Sequence, residues 1–262
     1  DGTLRIWNVA AERQLRTLSG HVGKVGAVAF SPDGKWALSG GTDKTLRLWD
    51  VTMGLERRVM IGHVGAVKSV TFSADGKWVL SGGEDGTLRL WDVLTGREMR
   101  SFVGRNQAVK SVAISPDGQL ALSGSEDKTL RLWEVASGRE VRSFTGGLND
   151  MSSVDVSADG QWAISGDGDR SLRLWELSTG RLMRTFVGHG DGVFSVKFSP
   201  DGKWALSGGM DRTVRLWEVA TGRQMRTFTG HAGIVFSVAF SPDGQWALSG
   251  SEDRTLRLWE LA

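Results

Sequence analysis

A short segment of the form Asp-x-Thr-Leu-Arg-Leu-Trp recurs along the whole chain and constrains its fold more than any other feature. The segment alternates apolar and polar residues after a turn-favouring Asp, which predicts a β-strand that leaves a tight turn. Its tryptophan recurs every 42 residues without insertion, at Trp7, Trp49, Trp91, Trp133, Trp175, Trp217 and Trp259. A fixed period of about 40 to 45 residues is typical of repeat architectures. We therefore expect one array of equivalent units.

Each unit contains four strand-like segments, which in the first unit cover residues 14–18, 25–30, 36–39 and 46–51. A Ser-Pro-Asp-Gly or Ser-Ala-Asp-Gly turn joins the second segment to the third, since Pro presets φ and Gly accepts a positive φ. The second segment is the most apolar, and we expect it to be the most buried. The first segment carries a recurrent Arg and is expected to be an exposed edge strand. The pattern predicts an all-β fold of short antiparallel sheets.

The composition is that of a soluble globular protein, with 40% apolar and 24% charged residues. The formal net charge of +2 gives no reason to expect a nucleic-acid partner. The absence of cysteine excludes disulfides, thiolate metal sites and a cysteine nucleophile. No apolar run approaches the ~18 to 20 residues of a membrane span, so we expect no membrane partner. We also expect a cytoplasmic location.

The second full unit shows a family resemblance in five marks. These are Gly62-His63, the turn at 73–76, Ser81-Gly82-Gly83, Asp85 and Leu90-Trp91-Asp92. Together they resemble a WD repeat, and the resemblance covers the entire chain. It implies a single β-propeller domain over residues 1–262, built from four-stranded antiparallel blades, with residues 1–10 as a partial repeat.

In this family a His, a Ser or Thr, the turn Asp and the strand Trp form a hydrogen-bonded tetrad inside each blade. The resemblance places these structural tetrads at His21, Ser39, Asp43, Trp49; His63, Ser81, Asp85, Trp91; His189, Ser207, Asp211, Trp217; and His231, Ser249, Asp253, Trp259. The third and fourth units carry Arg105 and Gly147 in place of His. We expect these two units to be less rigid.

The number of blades follows less directly, because six copies of the second and third segments accompany seven Trp strands. Residues 14–18 could pair with 256–259 and close a six-bladed ring. The alternative is a seven-bladed ring with one blade incomplete in this chain. We prefer the seven-bladed arrangement, which matches the habit of the family.

The tetrad residue types are also those of a Ser-His-Asp hydrolase. All four histidines of the chain nevertheless recur with the period of the fold, whereas an enzyme needs one site. No second His or Cys lies at metal-ligand spacing. We therefore expect no catalytic residues, no metal and no cofactor.

Two further periodic sets receive a structural interpretation. The tryptophans that follow the turns are expected to pack between sheets instead of forming an aromatic cage, and they are Trp36, Trp78, Trp162, Trp204 and Trp246. The outer-strand arginines are expected to protect strand edges instead of attracting an anionic partner, and they are Arg16, Arg58, Arg100, Arg142, Arg184 and Arg226.

Comparison of equivalent positions singles out two places where one unit differs from the rest. Asp155 and Lys197 replace small residues in neighbouring units at one register, so we expect them to form an ion pair. On the rim of the propeller, the fifth and sixth units carry apolar residues where the second and third carry charges. These candidate partner-binding positions are Phe194, Met210, Ile234 and Phe236, with Lys68 and Lys110 on the charged side.

The resemblance and this rim pattern predict a non-catalytic scaffold that binds a protein or peptide. Two alternatives stay open for the rim: the phenylalanines bind a partner, or they fold inward and plug the central channel. For the whole chain, the alternative is a structural or sensory module of a larger signalling protein, or an engineered near-symmetric propeller with no ligand of its own.

Overall fold

A computed structural model of the chain describes residues 1–104, 107–145 and 151–261. These residues form 25 β-strands and no helix. β1 (Thr3–Asn8) and β2 (Arg13–Ser19) form a two-stranded sheet, and the other strands form six antiparallel blades.

The blades follow one another along the chain, and within each the strands run in order from the innermost to the outermost. Blade 1 contains β3 (Val25–Phe30), β4 (Trp36–Gly41), β5 (Thr45–Asp50) and β6 (Leu55–Ile61). Blade 2 contains β7 (Val67–Phe72), β8 (Trp78–Gly83), β9 (Thr87–Asp92) and β10 (Glu98–Val103). Blade 3 contains β11 (Val109–Ile114), β12 (Leu120–Ser125), β13 (Thr129–Glu134) and β14 (Glu140–Thr145). Blade 4 contains β15 (Met151–Val156), β16 (Trp162–Asp167), β17 (Ser171–Glu176) and β18 (Leu182–Val187). Blade 5 contains β19 (Val193–Phe198), β20 (Trp204–Gly209), β21 (Val214–Glu218) and β22 (Gln224–Phe228), and blade 6 contains β23 (Val235–Phe240), β24 (Trp246–Ser251) and β25 (Leu256–Glu260).

The repeated turn between the first two strands of a blade has the chemistry that its sequence predicts. In blade 1 the Ser31 hydroxyl donates to Asp33 Oδ1 at 2.7 Å, and the Gly34 N–H donates to the Ser31 carbonyl at 2.9 Å. Gly34 adopts a φ of +69°, which glycine accepts without steric cost. The four predicted segments of each unit accordingly lie on strands.

The prediction about the most buried strand is wrong. The second strand of a blade is the most buried, as in β4, where every residue after Trp36 is buried. The innermost strand contains both buried and partly exposed residues, as in β19. The reason is that the innermost strand lines the central channel, whereas the second strand has a strand on each side and a blade against each face.

Neighbouring blades pack through a repeated apolar contact and a repeated hydrogen bond. Leu46 and Leu48 of blade 1 pack with Val70 and Phe72 of blade 2. A serine hydroxyl on the innermost strand accepts the backbone N–H of a valine in the next blade at 3.0 to 3.1 Å. The pairs are Ser69–Val112, Ser111–Val154, Ser153–Val196 and Ser195–Val238.

The preference for seven blades is also wrong, because the structure contains six. Five have four strands and blade 6 has three. The partial repeat at residues 1–10 supplies β1, which pairs with β2 and packs Leu4 against Ala37 and Trp49 of blade 1. A blade begins with an inner pair of strands, and the chain encodes only six such pairs. In the described residues β25 pairs with β24 alone, so β2 does not complete blade 6.

Candidate functional site

The structure brings the four predicted tetrads together with nearly identical geometry. In blade 2, His63 Nε2 lies 2.8 Å from Ser81 Oγ, and His63 Nδ1 lies 2.9 Å from Asp85 Oδ2. The indole N–H of Trp91 donates to the same serine oxygen at 2.8 Å. The matching distances in the other three tetrads are 2.7 to 2.9 Å. The chain of contacts therefore runs from indole to hydroxyl to imidazole to carboxylate.

The tetrad is consistent with one assignment of protons. Because Nδ1 faces a carboxylate, it carries the hydrogen, and Nε2 accepts the serine proton. Burial is the main influence on His63 and lowers its pKa, although Asp85 opposes this shift. Burial raises the pKa of Asp85, but hydrogen bonds from Thr87, the Val64 N–H and His63 outweigh it and bring the value down to about 2. At neutral pH the tetrad of blade 2 thus pairs a neutral imidazole with an ionised Asp.

Acid should weaken the fold through these carboxylates. The pKa of Asp43 is about 2, since hydrogen bonds from Val22, His21 and Thr45 outweigh a raising effect of burial, and its ordinary value is 3.8. A lowered pKa contributes stability that is fully present above 3.8 and is lost as the pH falls towards 2. We expect the free energy of unfolding to drop across this window. Denaturant titrations of the native chain between pH 6 and 2 would measure this drop. The same titrations of Asp85→Asn, which removes another carboxylate with a pKa of about 2, would show the share of one tetrad. If the difference in unfolding free energy between the native chain and Asp85→Asn stays constant across this window, the lowered pKa of Asp85 is contradicted.

In blades 3 and 4, whose repeats lack the histidine, an arginine on the third strand is buried. Arg105 and Gly147 lie outside the described residues, so the expected loss of rigidity stays a prediction. Arg131 in blade 3 is buried and pairs with Asp127, while Arg173 in blade 4 is buried between Asp167 and Asp169. In blades 1, 2 and 5 the equivalent arginine side chains are 14 to 15% exposed, and in blades 1 and 2 they reach glutamates on the outer strand at 2.5 Å. Sequence reasoning missed this difference in burial because the arginine is present in every repeat.

Asp167 fills the space that an imidazole occupies in blade 2. A Cβ at the equivalent Gly83 would lie 2.6 Å from His63 Nδ1, so a side chain there conflicts with the histidine. Asp167 is fully buried, and burial raises its pKa to about 6 although Arg173 opposes the shift. Its Oδ1 has no hydrogen-bond partner among the residues that the structure describes. Blade 4 therefore holds a poorly satisfied carboxylate in its interior.

The tetrads lack the access that a hydrolase needs. The four serines are at most 1% exposed, and each hydroxyl oxygen already accepts an indole N–H. A substrate carbonyl has no route to such an oxygen. Among the described ranges, no group of three or more His, Cys, Asp or Glu side chains is arranged to hold a metal ion.

The arginines and tryptophans of the periodic sets make specific contacts. Arg100 donates from Nη1 to the Ser137 carbonyl at 2.9 Å and from Nη2 to the Ala136 carbonyl at 2.7 Å, both in the next blade. Arg58, Arg142, Arg184 and Arg226 also donate to a backbone carbonyl of the next blade. These side chains thus link blades, a role that sequence reasoning missed. The tryptophans after the turns line grooves between blades, as Trp162 and Trp204 do between blades 4 and 5.

The predicted ion pair lies between blades 4 and 5. Lys197 Nζ is 2.9 Å from Asp155 Oδ1, and the other carboxylate oxygen accepts the Phe198 N–H at 2.9 Å. Asp155 therefore contributes to the contact between the blades twice, once through a charge and once through the backbone.

The candidate partner-binding residues gather around the central channel, a cavity of about 440 Å³. Phe194 and Phe236 line it from blades 5 and 6, and their rings meet edge to face with centroids 5.4 Å apart. Lys68 and Lys110 line it from blades 2 and 3. Each lysine is paired with a glutamate, Lys68 with Glu84 at 2.7 Å and Lys110 with Glu126 at 2.6 Å.

Met210 and Ile234 lie beside this cavity without lining it. The Met210 N–H donates to the Gly192 carbonyl at 2.8 Å, just before Val193 begins the innermost strand of blade 5. Ile234 directly precedes β23, the innermost strand of blade 6. Phe236 is 49% exposed and Met210 is 40% exposed. The structure therefore places the apolar residues at the channel on blades 5 and 6 and the ion pairs on blades 2 and 3.

Among the described residues no helix is long and apolar enough to cross a membrane. No curated protein matches the chain. The sequence model of the family described as WD domain, G-beta repeat matches residues 12–50, 54–92, 96–134, 138–176, 180–218 and 222–260. These matches cover all six full repeats, and the chain belongs to the WD domain, G-beta repeat family.

Proposed function

We propose that the chain is a non-catalytic platform that binds a protein or peptide over its apolar sector, defined as Phe194, Met210, Ile234 and Phe236. The observation that carries this proposal is the exposure of Phe236 and Met210 on adjacent blades at the mouth of the channel. Exposure of large apolar side chains to water is unfavourable. A partner that covers them gains a binding free energy of about 25 cal/mol for each Å² of apolar surface buried.

The charged side of the channel supports the same proposal. Lys68 and Lys110 each have a carboxylate partner within 2.7 Å, so neither presents an uncompensated charge to a ligand. Partly exposed ion pairs contribute little binding energy and form a polar border around an apolar contact. The expected centre of the interface is the edge-to-face pair of Phe194 and Phe236, since aromatic residues dominate such centres.

Loss of either phenylalanine should weaken binding while the fold survives. Peptides would be selected from a phage-displayed random library on the native chain, and their affinities measured by fluorescence polarisation. We expect Phe236→Ala and Phe194→Ala to weaken binding at least about tenfold, as removal of a central contact does. Lys68→Glu should change it by less than about threefold, as expected for the border of an interface.

A matched control separates the apolar sector from general surface hydrophobicity. Met225 lies on an outer strand and is 43% exposed, nearly the same as Met210. Met225→Ala should leave affinity unchanged, whereas Met210→Ala should reduce it. Thermal melts would confirm that all variants are folded. Selected peptides that bind Phe194→Ala and Phe236→Ala as tightly as the native chain would contradict the proposal, as would a library that yields no binder.

A further inference from the structure

The central channel is lined by side chains that donate hydrogen bonds. Lys68, Lys110 and Lys197 line its cavity of about 440 Å³, together with serines from each of blades 2 to 5. Among the residues that the structure describes, no Asp or Glu side chain lines this cavity. The glutamates that pair with the two lysines at the mouth contact them from outside the cavity wall. A cavity with many donors and no carboxylate in its wall favours an anionic ligand.

Four serine hydroxyls lie along the channel wall at equivalent positions of successive blades. They belong to Ser69, Ser111, Ser153 and Ser195, each the third residue of its innermost strand. Each oxygen accepts a valine N–H of the next blade at 3.0 to 3.1 Å. A hydroxyl also carries a proton that it can donate, and within the described ranges none of these four protons has a protein acceptor. The wall therefore offers four O–H donors to a ligand in the channel.

Lys197 adds a charged donor deeper in the same cavity. It lies two residues beyond Ser195 on β19, and its side chain is 43% exposed. Among the described residues its ammonium group bonds only to Asp155, which leaves two of its three N–H donors for another acceptor. Asp155 lines a separate cavity of about 280 Å³ instead of the channel cavity. The ion pair thus fixes the lysine while its other donors are available to the channel.

Comparison of the blades shows that the fold does not need a charge at this register. The residues equivalent to Asp155 and Lys197 in blades 1, 3 and 6 are Ala29, Ala113 and Ala239. Those blades form the same innermost strand as blades 4 and 5. A partly buried ion pair is weak evidence for added stability, because desolvation offsets much of the attraction between the charges. Recognition of a ligand explains the pair better than stability does.

We propose that the channel binds an oxyanion, a phosphate or a carboxylate group, between Lys197 Nζ and the hydroxyls of Ser153 and Ser195. Hydrogen bonds from an ammonium group to such an anion are charge-assisted and stronger than those between neutral groups. The serine hydroxyls act as neutral donors beside the lysine. Lys68 and Lys110 supply further N–H donors at the entrance. The site requires no contact with the apolar sector, so it stands whether or not a peptide binds there.

Titration calorimetry with inorganic phosphate tests this site, and acetate serves as the carboxylate probe. Each anion would be titrated into the native chain in a chloride buffer of constant ionic strength, and we expect saturable binding of a single anion per chain. The main variant combines Asp155→Ala with Lys197→Ala. It keeps the net charge and introduces the residue that blades 1, 3 and 6 carry at this register, so we expect it to fold. Its affinity should fall at least about tenfold, because a hydrogen bond from a charged donor is lost.

A second variant and a control make the result specific to the channel. Ser153→Ala removes one hydroxyl donor and should lower the affinity about threefold or more, and Ala27 in blade 1 shows that alanine fits this position. Lys128→Gln removes an exposed positive charge on a turn outside the channel and should leave the affinity unchanged. Thermal melts would confirm that each variant is folded.

The two probes also identify the ligand. Binding of phosphate alone would indicate a phosphoryl group, binding of acetate alone would indicate a carboxylate, and binding of both would show that the site recognises the oxyanion chemistry that they share. The proposal is overturned if neither anion binds the native chain. It is also overturned if the double alanine variant and Ser153→Ala both bind the anion as tightly as the native chain.

Discussion

Ser207→Ala should lower the free energy of unfolding by about 2 to 6 kcal/mol. The hydroxyl of Ser207 is fully buried, accepts the indole N–H of Trp217 at 2.8 Å and contacts His189 Nε2 at 2.7 Å. Alanine leaves a buried donor and a buried acceptor without partners, and each unsatisfied group costs about 1 to 3 kcal/mol. Urea titration followed by tryptophan fluorescence would measure the loss.

Ser165→Ala is the matched control. Ser165 is equally buried and accepts the indole N–H of Trp175 at 3.1 Å, but blade 4 has no tetrad histidine. It should therefore cost about half as much as Ser207→Ala, because one buried group loses its partner instead of two. Equal losses in the two variants would contradict the assignment of the imidazole as a stabilising partner of Ser207.

Asp167→Asn should stabilise the protein at neutral pH, by up to about 3 kcal/mol. The pKa of Asp167 is raised from 3.8 to about 6, mainly by burial. Above pH 6 the folded protein must keep this carboxylate charged in its interior, so the raised pKa lowers stability. As the pH falls from 6 to 4, the folded protein takes up the proton first and the penalty disappears. The advantage of the variant should vanish over the same range.

Asp85→Asn provides a control of opposite sign. The pKa of Asp85 is lowered, so its charge stabilises the fold at neutral pH and the variant should be less stable. Thermal melts of both variants and the native chain at pH 4, 5, 6 and 7.5 would compare the two. If Asp167→Asn destabilises the protein at pH 7.5, the pairing of Asp167 with Arg173 outweighs its burial and the prediction is wrong.

The regular parts of the fold were predictable because they depend on local chemistry that repeats. The Asp-x-Thr-Leu-Arg-Leu-Trp segment, the turn at Ser31 to Gly34 and the alternation of apolar residues each specify a strand or a turn within a few residues. Comparison of equivalent positions also identified Asp155 and Lys197, since a partly buried charge is stabilised by the opposite charge at the same register of the neighbouring blade. The four complete sets of His, Ser, Asp and Trp were visible for the same reason.

What the sequence left open depended on how the blades pack against one another. Every repeat carries an arginine at this position, and the structure buries it in blades 3 and 4 but only partly in blades 1, 2 and 5. The structure contains six blades and pairs β2 with β1, and neither feature was decided by the repeat pattern alone. Strand identity is specified by neighbours along the chain, whereas the packing of one blade on the next depends on contacts between residues 43 positions apart, such as Ser153 and Val196. A perfect repeat makes those distant alternatives almost equal in sequence, so tertiary packing has to choose among them.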